Sequence, residues 1–193
     1  MFTQEKTVEN NAVKSLLLHS CCAPCSSSVL ERLAGSFDVT VYFYNPNIYP
    51  QSEYDKRASQ QADFIKKFKT SNIKNCIIEQ YDNSVFFESV KGLEAEKEGG
   101  ERCFNCYLLR MEKTAALAAE KGMDYFTTTL SVSPYKNAKK LNEIGVALAE
   151  KYGVGYLYSD FKKKDGYKRS IELSAKYNLY RQNYCGCIYS IKD

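Results

Sequence analysis

Five short runs of β-branched and aromatic residues recur along the chain with a helical pattern between each and the next. This alternation limits the possible fold more than any other feature. The runs are SLLLHS (15–20), VTVYFYN (39–45), NCIIEQY (75–81), DYFTTTL (124–130) and GYLYSD (155–160), and they read as strands. The stretches between them carry helix ends. Pro24 suits the first turn of a helix that runs to about Ala34 before Gly35 stops it. Ser52 is placed to cap a second, whose Tyr54, Ala58, Ala62, Ile65 and Phe68 share one face. A third begins near Cys103, carries Leu108, Met111, Ala115 and Ala118, and ends at Gly122. A fourth opens at SPYKNA with Pro134 in its first turn and closes at Gly153, and a fifth covers about 165–177. Strand–helix alternation at this spacing predicts an α/β fold, a parallel sheet with helices on both faces.

Open sheets of this kind bind ligands in the crevice beyond the carboxyl ends of their strands. The unusual residues fall in the loops that would line that edge. Cys21, Cys22 and Cys25 follow the first run, YNPNIYP the second, TLSVSPY the fourth and DFKKKDGY the fifth. A chain of 193 residues suits one core, so 1–14 is expected to be a flexible N-terminal arm and 15–193 a single catalytic α/β domain. The acidic, glycine-terminated stretch 83–100 is expected to be a mobile flap.

Compartment decides how the eight cysteines are read. The N-terminal segment is polar, unlike a secretory signal, and no apolar run reaches the roughly 18 residues of a membrane span. A cytoplasmic protein with no membrane partner is expected. In a reducing compartment cysteines are metal ligands or redox thiols more often than disulfide frameworks. All but Cys76 fall in three tight groups: Cys21/Cys22/Cys25, Cys103/Cys106 and Cys185/Cys187. Cys76, inside a strand-like run, reads as a small buried hydrophobe.

Cys103 and Cys106 form a C-x-x-C at a helix start, so their sulfurs share a face where the helix end favours thiolate charge. Zinc, an iron–sulfur cluster or a thioredoxin-like couple would each use such a pair. Adjacent Cys21 and Cys22 would point to opposite faces of a regular strand, but at a turn they can splay toward two atoms of a cluster. With Cys103 and Cys106 they supply four thiolates, the complement of a [4Fe–4S] cluster. Zinc on four cysteines is the competitor, although zinc more often takes two C-x-x-C knuckles. Cys25 is a fifth ligand, a ligand of a second metal or a buried thiol. Cys185-Gly186-Cys187 can close only a small, strained disulfide, and such disulfides are readily reduced. Two unrelated thiols or two further cluster ligands are the other readings. His19, the only histidine, reads as a buried hydrogen-bonded residue, with a proton relay as the alternative.

The net charge of +4 does not by itself mark a nucleic-acid binder. The basic residues are uneven, however. Lys162, Lys163, Lys164, Lys168, Arg169 and Arg181 could meet phosphates, with Phe161, Tyr167, Tyr180 and Tyr184 nearby for base stacking.

Taken together, LLLHSCCAPCSS, YFYNPNIYP, EYDKR, GERCFNCYLLR, TTTLSVSPYKN, DFKKKDGYKRS and YRQNYCGCIYS resemble the cobalamin-independent epoxyqueuosine reductases, the iron–sulfur type. The resemblance runs from about Leu16 to Ser190. It implies a Rossmann-like fold related to the adenine nucleotide α-hydrolases and reduction of the epoxide of epoxyqueuosine in a tRNA anticodon loop to the alkene of queuosine. It further implies a [4Fe–4S] cluster on Cys21, Cys22, Cys103 and Cys106, a neighbouring mononuclear iron with Cys25 as a candidate ligand, and a redox-active Cys185/Cys187 disulfide. An electron donor, which the sequence does not identify, is also implied. A zinc-binding four-cysteine RNA-binding module without redox catalysis is the alternative. An ATP-using PP-loop enzyme would place glycines in the first turn, where this chain has HSCCAPCS. A plain thiol–disulfide oxidoreductase would leave the other five clustered cysteines without a role.

Overall fold

A computed structural model describes residues 13–68 and 70–191. Most of the expected N-terminal arm lies outside the described residues. Five parallel strands, β1 (Lys14–His19), β2 (Phe37–Phe43), β3 (Ile73–Ile78), β4 (Tyr125–Thr128) and β5 (Gly155–Tyr156), form one sheet in the order β3-β2-β1-β4-β5. The helices are α1 (Ala23–Leu33), α2 (Gln51–Lys67), α3 (Ser84–Ser89), α4 (Glu101–Glu120), α5 (Ala138–Tyr152) and α6 (Gly166–Lys176). This is the expected α/β, Rossmann-like architecture.

The central strand shows why the sheet needs cover on both sides. Leu16 and Leu18 face one way and pack with Val29, Leu30, Val39, Val41, Phe64 and Phe161. Leu17 faces the other way and packs with Tyr107, Met111, Ala115, Phe126, Leu141 and Leu148. Alternate side chains point to opposite faces, so a strand buried on both sides reads as a continuous apolar run. Helices α1, α2 and α6 cover the first face, and α4 and α5 the second.

Chain order reverses between β1 and β4: from β1 the chain moves out to β2 and β3, then returns to β4 on the other side. Crevices form at such switch points. His19 ends β1 in register with Thr128 of β4, so Cys21 emerges directly over the switch.

Several element boundaries differ from the sequence expectation. Helix α2 starts at Gln51 with Pro50 in the cap position, and the Pro50 carbonyl, rather than the Ser52 side chain, takes up the first amides. Helix α5 starts late because β4 first enters a 3-10 turn over Thr129–Val132. The Asn137 side chain accepts from the Lys140 amide and caps α5, and Pro134 lies outside the helix. Strand β5 is only Gly155–Tyr156, after which the chain peels away. The stretch 83–100, expected as a loose flap, contains α3, buries Phe86 and Val90, and is tied to α4 by Arg102, which donates to the carbonyls of Glu94 and Glu96.

Candidate active site

Helix α1 begins immediately after the switch point, with Cys22 as its cap residue and Pro24 in its first turn. One helical turn brings Cys25 back toward Cys21 and Cys22, and the three sulfurs lie within 4.8 Å of one another. Cys21 is further held by Thr129: its amide donates to the Thr129 hydroxyl at 3.1 Å, and that hydroxyl donates to the Cys21 sulfur at 3.3 Å. Hydrogen bonds from the Cys22 and Cys25 thiols, then from Thr129, hold the Cys21 thiol well below its ordinary range. The same coupling pushes Cys22 up to about 12. Three sulfur donors this close can bind one cation together, losing their protons to solvent as it binds.

Cys103 and Cys106 do not join that compact group among the described residues. They line an adjoining cleft with Cys185, Cys187, Tyr107, Arg110 and Lys136. The expected convergence of Cys21 and Cys22 with the C-x-x-C is therefore adjacency here, while Cys25 completes the tight triad. The reason is local: Cys25 is one turn from Cys22 on the same helix, whereas α4 carries its pair from the opposite layer. The Gly99 amide donates to the Cys103 sulfur at 3.2 Å, and burial pushes the Cys106 thiol up.

Cys185 and Cys187 are free thiols. The segment after α6 runs back along α2 and delivers them to the cleft. Tyr177 packs on Phe64, the Lys56 ammonium sits over the Tyr180 ring, and the Tyr49 amide donates to the Gly186 carbonyl at 2.8 Å. Gly186 has φ +102, a region open mainly to glycine, and a Cβ there would lie 2.9 Å from Ile48. The Cys187 thiol, then the Lys136 charge and the Ser190 hydroxyl, hold Cys185 well below its ordinary range despite burial, and Cys187 is correspondingly raised.

Three residues that the sequence reading did not single out complete the site. Arg110, one turn beyond Cys106, is buried and bonds through its guanidinium to the Asn45 side chain and the Cys106 carbonyl. Burial opposes its charge, but Cys106, Cys21 and Cys185 outweigh burial and raise its pKa. Lys136 is 8 % exposed at its side chain, and its one carboxylate contact among the described residues is Glu98 at 3.4 Å. Burial opposes that charge too, and the neighbouring cysteines, Cys185 foremost, favour it. Tyr107 is the third: the residue lines the same cleft, and its hydroxyl is buried without a hydrogen-bond partner among the described residues. Buried cations with so little carboxylate around them need another source of negative charge, and thiolates supply it. The spacing of Arg110 from Cys106 was readable as one helical turn; Lys136 gave no such signal.

His19 takes no part in ligation. Its Nε2 donates to the Tyr44 carbonyl at 3.0 Å and its Nδ1 accepts from the Thr128 hydroxyl at 2.8 Å. Burial, with the Arg110 charge, lowers its pKa to about 4, so the ring is a neutral structural link between β1, β2 and β4.

The basic loop is less available than its composition suggests. Phe161, expected as a stacking residue, is a core residue. Arg181 donates to the Ser170 carbonyl and the Ser174 hydroxyl, Arg169 is bound by Glu31 and Glu172, and Lys162 pairs with Asp160. Lys163, Lys164 and Lys168 make no ion pair among the described residues. Cys76, expected to be buried, sits half-buried on β3 and packs against the core. No described helix is long and apolar enough to cross a membrane.

Comparison with known proteins gives a consistent result. A family model described as epoxyqueuosine reductase QueH matches residues 16–193. The chain is 45% identical over 190 residues to the epoxyqueuosine reductase QueH of Streptococcus pyogenes, covering 97% of this chain and 74% of that protein. It is 42% identical over 194 residues to the protein of that name from Haemophilus influenzae, covering 100% and 78%. It is 36% identical over 179 residues to the one from Thermotoga maritima, covering 93% and 91%. With the match extending from the first strand through the Cys185/Cys187 loop, the chain belongs to the QueH family of epoxyqueuosine reductases.

Proposed function

We propose that the chain reduces the epoxide of epoxyqueuosine in the anticodon loop of tRNA to the alkene of queuosine. The observation that carries this reading is the meeting of seven thiols at the sheet's switch point, three within 4.8 Å and four lining the adjoining cleft, in a chain of this family. We assign a [4Fe–4S] cluster to Cys21, Cys22, Cys103 and Cys106, a neighbouring mononuclear iron to Cys25 as candidate ligand, and a redox couple to Cys185 and Cys187. The donor set fits such a group. The thiols are soft ligands, and the buried Arg110 and Lys136 offset the negative charge of a metal–thiolate centre.

When bound, an iron–sulfur centre supplies electrons singly and an open iron offers a Lewis acid. The protein's own groups do the rest. Lys136 holds negative charge on Cys185, Arg110 spans Cys21, Cys106 and Cys185, and Thr129 holds Cys21 in place. His19 has no free nitrogen and moves no proton. Single-stranded loops can splay a base into such a crevice, and Lys163, Lys164 and Lys168 are available for their phosphates.

Anaerobic reconstitution, iron and sulfide analysis and an epoxide-reduction assay test the assignment. Cys103→Ser and Cys106→Ser are expected to lose acid-labile sulfide. Cys25→Ser is expected to keep the sulfide and lose only the extra iron. The compactness of Cys21, Cys22 and Cys25 favours a second reading, one metal such as zinc on that triad without a cluster. Anaerobic protein with stoichiometric zinc, no sulfide and no reductase activity would establish it.

A further inference from the structure

We propose that Tyr135 and Tyr158 are the stacking residues of this site, holding unpaired RNA bases that flank the reacting nucleoside. The inference rests on the tRNA substrate of the reading above and names the side chains that grip it. Among the described residues they are the most exposed large apolar side chains, at 78 % and 68 %. Single exposed apolar residues are ordinary on a protein surface. These two stand on neighbouring loops of one edge, Tyr135 beyond β4 and Tyr158 beyond β5, the edge that also carries Cys21.

The backbone presents both rings rigidly. Ser133 to Lys136 form a β-turn, closed by the Lys136 amide donating to the Ser133 carbonyl at 3.2 Å, with Pro134 fixing its first corner. Tyr135 fills the second corner, and its amide donates to the Ser133 hydroxyl at 3.3 Å. The next residue, Lys136, lines the cysteine cleft, so the turn stands at the rim of that cleft. Tyr158 is pinned from either side. The Leu157 amide donates to the Phe126 carbonyl at 3.0 Å, and the Ser159 amide donates to the Asn142 side chain at 3.0 Å. The two loops are also joined, since the Lys162 ammonium donates to the Lys136 carbonyl at 3.3 Å. An aromatic side chain held this way loses little further freedom when a base covers it.

The aromatic residues expected from the sequence to stack are already engaged. Phe161 is in the core, Lys56 sits over the Tyr180 ring, Arg57 over Tyr184 and Arg181 over Tyr167. The rings of Tyr135 and Tyr158 have no aromatic or cationic partner among the described residues. Cations for the phosphates follow each of them. Lys139, in the first turn of α5, is exposed and makes no ion pair among the described residues, and Lys163 and Lys164 share the loop of Tyr158. Unpaired bases stack on aromatic faces while lysines meet the backbone, the arrangement of a single-strand binding surface.

The test uses metal-reconstituted protein and an anticodon stem-loop bearing the epoxide. Tyr135→Ala and Tyr158→Ala are each expected to raise Kd and KM by about 5–100-fold, with kcat and metal content close to wild type. Tyr135→Phe and Tyr158→Phe should restore wild-type Kd, because stacking needs the ring and not the hydroxyl. The chain has no tryptophan, so Tyr135→Trp and Tyr158→Trp each introduce a single reporter. Its fluorescence should be quenched by the stem-loop and not by a blunt duplex, whose bases are already stacked on one another. An inactive wild type would sink the reductase reading, whereas the fluorescence titration needs no turnover and decides this inference by itself. Wild-type Kd in either alanine variant would overturn the pair. Quenching by the duplex equal to that by the stem-loop would overturn it too.

Discussion

Arg57 reaches across 128 residues of chain to donate to the Cys185 carbonyl at 3.3 Å. It is a buried guanidinium on α2, paired with Glu53 at 2.7 Å, and its central guanidinium carbon lies 5.1 Å from the centre of the Tyr184 ring. One side chain thus fastens the redox loop to the helix it runs along.

Arg57→Ala should therefore act twice. Breaking a buried ion pair costs roughly 3–5 kcal/mol, which urea unfolding would report. The freed loop should also uncover Cys187, which is buried while Cys185 is half-buried, so selective alkylation of Cys185 over Cys187 in metal-free protein should disappear. Unchanged selectivity would show that the loop is held without Arg57.

Gly186→Ala tests the backbone directly. At φ +102, with Ile48 and Arg57 where a Cβ would go, the substitution should cost about 1–3 kcal/mol or swing the loop out. The readout is slower oxidation of Cys185 and Cys187 to a disulfide, followed by mass spectrometry. An unaltered rate would mean the loop tolerates the side chain.

The lone histidine gives a clean pH experiment. His19 is held neutral, its pKa lowered from 6.5 to about 4, so the unfolded chain takes up its proton first as pH falls. Its contribution is complete above about pH 6.5 and is lost progressively toward pH 4. That window corresponds to about 3 kcal/mol. Urea unfolding across it should be steeper in pH for wild type than for His19→Gln. NMR should find the folded imidazole untitrated near pH 6; titration at the ordinary value would refute its burial.

For RNA binding, Lys163, Lys164 and Lys168 are the cations to neutralise. The triple change to Gln should weaken tRNA binding and flatten its salt dependence by roughly one unit of slope for each phosphate left without its lysine. Arg181→Gln, whose native partners are Ser170 and Ser174, should leave the slope unchanged and lower stability instead. The reverse pattern would move the RNA-binding face elsewhere.

Much of this was legible before the fold was known. Strand and helix periods, Pro24 in the first turn of α1 and the placement of cysteines at strand ends are local properties, written in neighbouring residues. They sufficed for a parallel α/β sheet and for the edge at which chemistry would occur. Element boundaries were less legible because tertiary bonds move them: Asn137 rather than Pro134 opens α5, and Thr128 and Thr129 turn β4 into a 3-10 segment that holds Cys21.

What the sequence determined by itself was the inventory, seven thiols in three groups and a chain order that carries them to one edge. Only the tertiary structure decided their partnerships. Cys25 joins Cys21 and Cys22 through a helical turn, while Cys103 and Cys106 face the Cys185/Cys187 loop across a cleft with Tyr107 and Lys136. Which basic residues remain for RNA was decided there too, because Arg169 and Arg181 are taken by acids and hydroxyls that the basic pattern itself does not reveal. Periodicity reports which way a side chain points within its own element. The partner it meets depends on how two elements pack, and that depends on the summed burial of the whole core.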